Sequence, residues 1–261
     1  MKEKNKAKNY NMKVTIITVS YNSEKTIEDT IKSVLSQDYK NIEFIIIDGD
    51  SNDGTKKILN KYSSNISNII SEKDDGIYDA MNKGIRIASG DIIAILNSDD
   101  IYFDKYVISS VVKSFIENNC NIVFGNIQYV SENNLEKVVR NWISSPYVPN
   151  SFKNGWHPPH PAFFVKKDIY IKHGNFDIEF NIAADFDLMY RFLEIKNVKS
   201  VFIDNFLVKM RLGGESNKSL RNIYIGNRQV INSFKKYNKS VSFFYPFYRL
   251  IPKLKQYFDE R

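Results

Sequence analysis

The 261-residue sequence has few of the residues that mark several large classes of protein. Its single cysteine, Cys120, excludes an intramolecular disulfide and any thiolate cluster for zinc. Its three histidines make no convincing zinc site, and no GxGxxG or GxxxxGK[ST] motif supports dinucleotide or P-loop chemistry. The polar, Lys-rich stretch 1–13 lacks an apolar run long enough for a signal peptide or a membrane span. These absences predict a soluble, cytoplasmic protein.

The charge of the chain is unevenly distributed. The net charge is +7, and residues 235–261 hold seven Lys or Arg against two acidic residues, interleaved with Phe and Tyr. Such a mixture suits an anionic membrane surface, a nucleic-acid strand, or a C-terminal helix packed on the main domain. Because nucleic-acid binding would leave the acidic loops unexplained, we predict no nucleic-acid partner. Association of 241–261 with the inner face of the cell membrane stays open beside the packed helix.

Apolar runs alternate with helical patterns through the first hundred residues. We predict strands at 14–20, 43–48, around 69–70 and 92–96, with helices at 23–37, 55–62 and 77–88. This order predicts an α/β fold with right-handed βαβ units on a mostly parallel sheet. Ligands of such sheets bind beyond the carboxyl ends of the strands. The polar loops 20–22, 48–53 and 97–100 are all expected at that edge.

The alternation weakens after residue 100. We predict a helix at 103–119, a hairpin of strands 122–130 and 138–143, a Pro/Gly-rich loop at 145–160, a strand at 162–165, a helix at 185–195, and strands at 198–203 and 206–210. The economical organisation is one domain at 13–218 with halves 13–100 and 101–218. A flexible basic segment at 1–12 would precede it, and a helical, basic and aromatic extension at 219–261 would follow it.

The four residues Asn97-Ser98-Asp99-Asp100 follow an apolar run that should be a buried strand. Two adjacent carboxylates there repel each other and lose hydration, so the position is unfavourable without a cation. Mg²⁺ and Mn²⁺ prefer oxygen ligands and usually share their coordination shell with substrate phosphates. The sequence therefore predicts that a metal and a phosphate meet at this loop.

Short motifs occur in a fixed order along the chain. They are VTIITVSYN from residue 14, SVLSQ from 33, IDGDSNDGT from 47, DGIYDAMNKG from 75, ASGD from 88 and NSDD from 97. The series resembles the family 2 glycosyltransferases, which have the GT-A fold and transfer sugars from nucleotide-diphosphate donors with inversion. The IDG form, with HPAFF from 160 and AADFDL from 183, looks most like bacterial enzymes of exopolysaccharide, capsule or O-antigen assembly.

The resemblance implies a Rossmann-like central sheet flanked by helices, with 13–100 as the nucleotide-sugar half. The half 101–218 would hold the acceptor and a small antiparallel subregion, and a helical extension would follow. Donor-binding residues expected from the motifs and their positions are Thr18, Ser20, Tyr21, Asp48, Asp75, Asp79, Asn82, Lys83, Ser98, Asp99 and Arg211.

For several of these residues, a purely structural role is the alternative to ligand binding. Thr18, Ser20 and Tyr21 would hold a uracil and its ribose, or would only end their strand. Asp48 would bind the nucleoside or order its own turn, and Asp75 and Asp79 could simply cap a helix. Gly49 stands where the second Asp of the family pattern usually contacts the base. The neighbouring Asp50 does not obviously replace that residue.

By resemblance, Asp99 and Asp100 form the metal-binding acidic motif of the family. Asp99 is expected as the principal ligand of Mn²⁺ or Mg²⁺, with Asp100 in support. Asn97 replaces the usual first Asp of this motif, although an amide oxygen can still bind a cation.

Inverting sugar transfer needs a base that takes the proton of the acceptor hydroxyl. By resemblance this base is Asp185, the second position of the family's Glu-Asp pair, in which Ala184 replaces the Glu. The alternative is that Asp185 is only the N-cap of the helix that follows it. Asp187 is the reserve candidate.

Two further residues are candidates for the diphosphate or the acceptor. His160 lies in a proline-rich loop and could contact the metal, the diphosphate or the acceptor, or could be an ordinary surface histidine. Arg211 precedes the paired glycines Gly213 and Gly214, which could hinge a lid that brings Arg211 to the diphosphate. A plain strand-to-helix turn is the alternative.

The predicted function is metal-dependent, inverting transfer of a sugar from a nucleotide-diphosphate donor, with UDP as the expected nucleotide. The acceptor would be a saccharide or a polyprenyl-diphosphate-linked saccharide in bacterial surface-polysaccharide assembly. The alternatives are a catalytically inactive sugar-nucleotide or polysaccharide-binding protein and a sugar nucleotidyltransferase. The second of these would typically show a Gly-rich, basic triphosphate loop near its N-terminus, and the sequence has none.

Overall fold

The computed structural model of the chain describes residues 11–213, 219–242 and 244–249. Within these residues one sheet contains nine strands. The strands are β1 (Val14–Ser20), β2 (Ile42–Asp48), β3 (Asn68–Ser71), β4 (Ile92–Ile95), β5 (Ile101–Tyr102), β6 (Ile122–Ser131), β7 (Asn134–Trp142), β8 (Phe163–Lys166) and β9 (Ser200–Arg211). The α-helices are α1 (Ile27–Leu35), α2 (Thr55–Lys61), α3 (Ile77–Ile87), α4 (Val107–Asn118), α5 (Lys167–His173), α6 (Ala184–Tyr190), α7 (Leu220–Lys236) and α8 (Tyr245–Tyr248).

The sheet has a parallel half and a mixed half. Its strand order is β3-β2-β1-β4-β8-β6-β9-β5, with β7 paired to β6. The first four strands are parallel, whereas β8 is antiparallel to both β4 and β6. Strand β9 is parallel to β6 and antiparallel to β5, and β6 and β7 form an antiparallel hairpin. The carboxyl ends of β1, β2 and β4 therefore lie side by side, as the sequence predicted.

Helices cover both faces of the parallel half, which explains why its strands are almost uniformly apolar. On one face Ile17 and Val19 pack with α3 and α6, and on the other Val14 and Ile16 pack with α1 and α4. Helix α3 lies close against β1 because Gly84 has no side chain there. A Cβ at that position would overlap the Ile17 side chain. This close approach places the first turn of α3 beside the ends of the strands.

The strand and helix predictions hold for the parallel half and for the β6–β7 hairpin, with shifts of a few residues. The two strands predicted at 198–203 and 206–210 are wrong as separate elements, because β9 runs through 200–211 and absorbs the irregularity as a shift in its register with β6. The helix predicted at 185–195 is α6 followed by a π-helical turn, Arg191–Ile195. Strand β5 and helix α5 were not predicted.

Helix α7 packs on the main domain, because Val230 and Phe234 are buried in the same apolar cluster as α6. Tyr245 in α8 is buried there too. This agrees with the packed-helix alternative for that part of the extension. The predicted membrane segment 241–261 lies largely outside the described residues, as does most of the predicted basic segment 1–12. Among the helices that the structure describes, none has both the length and the apolar character to cross a membrane.

Candidate active site

Three loops meet at the carboxyl ends of β1, β2 and β4, and short hydrogen bonds hold them together. The hydroxyls of Ser23 and Ser98 lie 2.8 Å apart, which joins the loop after β1 to the loop after β4. The Ser23 N–H donates to Thr55 Oγ1 at 2.7 Å, and the Asn22 N–H donates to Ser51 Oγ at 2.8 Å. The three loops predicted from the sequence therefore form one surface.

Asp48 lies under this surface with its side chain fully buried. Its carboxylate accepts hydrogen bonds from the hydroxyls of Ser20, Ser51 and Ser71 at 3.1, 2.5 and 2.7 Å, and from the Ser51 N–H at 3.0 Å. Asp48 therefore orders its own turn and ties the ends of three neighbouring strands together, which was the plainer alternative. Direct contact of Asp48 or Ser20 with a nucleoside stays a prediction.

The two other residues predicted at the end of β1 differ in accessibility. The Tyr21 ring is 64% exposed and is therefore available to a ligand. Thr18 is fully buried, and its hydroxyl has no hydrogen-bond partner. Of these two residues, only Tyr21 has an exposed side chain on which a planar group could lie.

Asp99 and Asp100 follow β4 and have unusual electrostatic surroundings. Complete burial raises the pKa of Asp100 well above its ordinary value, and the neighbouring charge of Asp99 adds to the shift. Burial also raises the pKa of Asp99, against the opposing charges of Arg211 and His160. No donor makes a well-aligned hydrogen bond to either carboxylate oxygen of Asp100, although the Arg211 backbone and the Asn97 side chain lie near enough to oppose the rise in its pKa. The buried Oδ1 of Asn97 also lacks a hydrogen-bond partner. Buried polar atoms without partners are rare and costly in folded proteins.

These orphaned oxygens fit a divalent cation. Carboxylate and amide oxygens are the ligands of Mg²⁺ and Mn²⁺, and Asp100, Asp99 and Asn97 supply them at one loop. In the part of the chain that the structure describes, no three His, Cys, Asp or Glu side chains gather closely enough to hold a metal alone. A cation here would therefore complete its coordination shell with oxygens of a substrate or of water.

Arg211, at the end of β9, forms a hydrogen bond with the loop that follows β4. Its side chain is only 7% exposed, and its guanidinium donates to the backbone oxygen of Asp99 at 3.0 Å. It also donates to the Glu132 backbone oxygen at 2.9 Å and to Asp29 Oδ2 at 2.5 Å. In this arrangement Arg211 positions the Asp99 backbone, whereas the predicted contact with a diphosphate stays a prediction. The proposed lid hinge continues into residues 214–218, which lie outside the described residues.

Asp185, the predicted base, lies beside His160 and Tyr78. His160 Nδ1 lies 3.3 Å from Asp185 Oδ2, and the Tyr78 hydroxyl lies 3.2 Å from Asp185 Oδ1. Asp185 does not cap its helix, because α6 begins at Ala184 and the preceding residue makes no side-chain cap. The N-cap alternative is therefore wrong. The carboxylate of Asp185 is a quarter exposed and remains accessible from solvent.

Tyr78 was not among the predicted site residues. It lies in the first turn of α3 and is buried. Burial raises the pKa of its phenol well above the ordinary value, and the charge of Asp185 adds to the shift. The hydroxyl therefore keeps its proton, and it can donate its one hydrogen bond either to Asp185 Oδ1 at 3.2 Å or to the closer Ile182 backbone oxygen at 3.0 Å. The signal available in the sequence was the motif DGIYDAMNKG, in which Tyr78 lies between predicted donor ligands.

Comparison with known proteins identifies the family of the chain. The Glycosyl transferase family 2 profile matches residues 15–177, which include all three loops and His160. The chain belongs to this glycosyltransferase family.

Relatives of this family 2 glycosyltransferase include an Escherichia coli UDP-Glc:alpha-D-GlcNAc-diphosphoundecaprenol beta-1,3-glucosyltransferase, WfgD. The two are 37% identical over 123 residues, which cover 47% of this chain and 48% of WfgD. Staphylococcus aureus TarS in complex with UDP-GlcNAc superposes with a TM-score of 0.65 over 95% of this chain and 73% of that chain, at 17% identity. A Pyrobaculum calidifontis mannosyltransferase in complex with GDP-Man and Mn²⁺ superposes with a TM-score of 0.66 over 95% and 70%, also at 17% identity. The predicted GT-A fold is thereby confirmed.

Within this glycosyltransferase, the predicted ligands of the sugar nucleotide in and before α3 form hydrogen bonds and ion pairs with one another and with the loop before the helix. The Lys83 ammonium donates to the Lys73 backbone oxygen at 2.9 Å and pairs with Glu72 at 3.0 Å and Asp79 at 3.4 Å. Asp79 Oδ2 also accepts the Asp75 N–H at 3.3 Å. The predicted ligands Asp75, Asp79 and Lys83 therefore lie together, and their contacts with a donor stay a prediction.

Two predicted residues of the glycosyltransferase are fully engaged elsewhere. The Asn82 amide exchanges two hydrogen bonds with the Phe176 backbone, at 2.9 and 3.0 Å. Asp187 is fully buried and accepts from Ser233 at 2.8 Å and from Lys236 at 3.3 Å. Asp187 thus fastens α7 to α6. The structure does not support its use as a reserve base, because none of its surface is open to an acceptor hydroxyl.

Proposed function

We propose that the chain is an inverting glycosyltransferase that moves a sugar from a UDP-sugar to a saccharide or lipid-linked saccharide acceptor. The observation that carries this proposal is the placement of Asp185. Its carboxylate is accessible and lies between the His160 ring and the Tyr78 hydroxyl, and His160 is close enough to Asp99 for its charge to oppose the rise in the pKa of Asp99.

In this proposal Asp185 accepts the proton of the acceptor hydroxyl while the hydroxyl oxygen attacks the anomeric carbon of the donor. The bond from that carbon to the diphosphate oxygen breaks, and the nucleoside diphosphate leaves with the electron pair. Attack from the side opposite to the leaving group inverts the anomeric centre. Tyr78 and His160 hold the carboxylate in place, and this fixed orientation is what makes a general base effective.

We further propose a divalent cation held by Asp99, Asp100 and the Asn97 amide oxygen. Bound there, it would supply positive charge beside the departing diphosphate. The unpartnered, buried oxygens of Asp100 and Asn97 support this proposal. The Mn²⁺ in the complex of the fold neighbour from Pyrobaculum calidifontis is consistent with it.

A role in bacterial surface-polysaccharide assembly rests on the relatives. WfgD is named for transfer from UDP-Glc to a diphosphoundecaprenol-linked GlcNAc, and the match spans about half of each chain. The basic, aromatic stretch 241–261 would bring such a lipid-linked acceptor close by binding anionic lipid. Flotation with phosphatidylglycerol vesicles but not phosphatidylcholine vesicles is expected, and equal behaviour with both would contradict a charge-driven association.

The sharpest test of the base is Asp185→Asn. The amide keeps the shape of the side chain but cannot take a proton, so transfer should fall by about 10²- to 10⁴-fold. Binding of UDP should stay within about twofold, because the carboxylate lies on the acceptor side. The assay uses UDP-glucose with a synthetic GlcNAc-diphosphate lipid and Mn²⁺, and NMR of the product reports the anomeric configuration.

Asp168→Asn is the matched control, since Asp168 is an exposed carboxylate in the first turn of another short helix, α5. It should retain full activity. An active Asp185→Asn enzyme would refute the assignment of the base. A wild-type protein that binds UDP but neither transfers nor hydrolyses any UDP-sugar would instead indicate a non-catalytic sugar-nucleotide-binding protein.

A further inference from the structure

The loop after β2 has no side chain at Gly49, and Asp74 and Tyr21 lie beside this position. Gly49 follows the fully buried Asp48, and its N–H donates to the Ser20 backbone oxygen at 2.8 Å. A Cβ built on Gly49 would lie 2.6 Å from Asp74 Oδ2 and 3.4 Å from a ring carbon of Tyr21. The carboxylate of Asp74 therefore occupies the space that a side chain at position 49 would fill.

Asp74 is held in this position by its own loop. Its Oδ1 accepts the Gly76 N–H at 2.9 Å, a turn that Asp and Asn form readily. The adjacent Lys73 backbone oxygen accepts a hydrogen bond from Lys83, which fixes the loop to α3. Among the described residues, Oδ2 of Asp74 makes no hydrogen bond. One carboxylate oxygen thus stabilises the loop, and the other lies beside Gly49, on which a Cβ would also touch the Tyr21 ring.

The neighbouring acidic residue, Asp50, does not fill this place. Asp50 has a left-handed backbone conformation, with φ of 62°. Its carboxylate forms an ion pair with Lys56 at 2.6 Å. Its side chain is therefore committed to α2, so among these two carboxylates only Asp74 lies beside Gly49.

An exposed aromatic ring next to an unpartnered carboxylate oxygen suits a planar nucleotide base. The Tyr21 ring can stack on the face of a base, and the carboxylate can accept a hydrogen bond from its edge. Uracil and guanine carry a proton on the ring nitrogen of their pairing edge, whereas cytosine and adenine carry a lone pair there. A carboxylate accepts from the first pair of bases and repels the second.

Building on the proposed function, we propose that Asp74 determines base specificity by accepting the ring N–H of the uracil of the donor. A residue from the loop after β3 thereby replaces the acidic side chain missing at Gly49. Likeness of fold does not choose the base, because the two superposed structures contain UDP-GlcNAc and GDP-Man with nearly equal TM-scores. The choice must come from side chains such as Asp74.

The discriminating variant is Asp74→Asn. An asparagine keeps the hydrogen bond to Gly76 through its oxygen, so the loop should retain its shape. Its amide nitrogen donates where the carboxylate accepted, so UDP should bind about tenfold to a hundredfold more weakly. CDP binding should not weaken, because cytosine presents an acceptor at that edge. Calorimetric titration of UDP, CDP, GDP and ADP with Mn²⁺ measures these ratios.

Asp50→Asn is the matched control and should leave every affinity within about twofold. Equal weakening of UDP and CDP by Asp74→Asn, or no weakening of either, would overturn the proposal. So would a wild-type preference for CDP or ADP. A wild-type preference for GDP that Asp74→Asn abolishes would support Asp74 as an acceptor of a ring N–H, while removing UDP from the proposed function.

A transplanted carboxylate provides an independent check. Asp74→Ala should weaken UDP binding, and adding Gly49→Asp should restore at least half of the loss on a logarithmic scale, since the Cβ of the new side chain would lie 2.6 Å from the place of Asp74 Oδ2. Failure of this rescue in a folded double variant would count against the proposal. A wild-type protein that binds none of the four nucleotides would reject the proposed function itself, whereas binding unaffected at Asp74 rejects only this inference.

Discussion

Two buried carboxylates at opposite ends of the parallel strands have opposite surroundings. Glu43, near the start of β2, accepts hydrogen bonds from Thr15 at 2.6 Å, from the Ser89 N–H at 2.7 Å and from Lys13 at 3.1 Å. Asp100, after β4, is more completely hidden from solvent, yet neither of its oxygens accepts a well-aligned hydrogen bond. The first group is satisfied within the fold, whereas the second is the group at which we propose a bound cation.

The pKa values express the same contrast. Burial opposes the charge of Glu43, but the hydrogen bonds from Ser89, Thr15 and Lys13 outweigh it and lower its pKa to about 2. Burial raises the pKa of Asp100 well above its ordinary value, with the charge of Asp99 adding to the shift. An ionised Glu43 therefore stabilises the fold at neutral pH, and an ionised Asp100 destabilises the metal-free fold.

The largest expected effect is the loss of activity in Asp100→Asn. Weakening the cation site should reduce sugar transfer by about a hundredfold or more, because a bound cation contributes several kcal/mol to stabilising a departing diphosphate. The metal-free protein should be as stable as wild type or more stable, since the amide resembles the protonated carboxyl. Transfer assays and urea unfolding in EDTA measure the two quantities. A variant that is less stable but fully active would show that Asp100 stabilises the fold and is not needed for sugar transfer.

The second effect is stabilisation by ligand. With UDP present, Mn²⁺ at a hundred times its dissociation constant should raise the free energy of unfolding of the wild type by about 2.7 kcal/mol. Asp100→Asn should show little of this gain, whereas Glu43→Gln should show all of it. Thermal unfolding with and without Mn²⁺ provides the readout. An equal gain in all three proteins would place the cation away from Asp100.

The third effect is destabilisation by Glu43→Gln. Losing charge-assisted hydrogen bonds in a buried place should lower the free energy of unfolding by about 2 kcal/mol. The specific activity of the folded enzyme should be unchanged, because the group lies at the opposite end of the strands from the site. Urea unfolding with activity measured well below the transition separates the two outcomes. Unchanged stability with reduced activity would contradict the assignment of Glu43 to the stability of the fold rather than to the active site.

The smallest effect is the dependence of stability on pH. Because the pKa of Glu43 is lowered in the folded state, its contribution is fully present above the ordinary pKa of about 4.5 and is lost as pH falls toward about 2. By about pH 3.5 the wild type should have lost about 1.4 kcal/mol more than Glu43→Gln. Paired unfolding curves at pH 7 and near pH 3.5 give this difference, and parallel loss in both proteins would contradict it.

Local sequence patterns predicted the parallel half of the fold well. The runs at β1, β2 and β4 and the periodicity of α3 are determined by residues that are close in the chain. Strand β5 has two residues and is paired only by β9, which follows it by a hundred residues, so nothing local indicates it. Element bounds in 101–211 were less accurate for the same reason, because tertiary pairing outweighs propensity there.

The same distinction between local and tertiary determinants applies to the site. The position of its acidic loops could be predicted from residue type at the ends of the strands, whereas Asp185 was predicted as the base from resemblance to the family. The partners of those residues could not be predicted. Tyr78 and Asp185 are 107 residues apart in the chain, and Arg211 and Asp29 are 182 residues apart. Such contacts form only when the sheet is assembled.

The sequence by itself therefore determined the class of fold, the edge that carries the site and the chemical types gathered there, since these follow from periodicity and from the polarity of short segments. Tertiary structure alone decided which carboxylates are satisfied. Asp48 and Asp187 are enclosed by donors, Asp100 is buried without them, and Asp185 is open to an acceptor. Their residue type is identical, and the difference arises from the groups that distant parts of the chain bring within hydrogen-bonding distance.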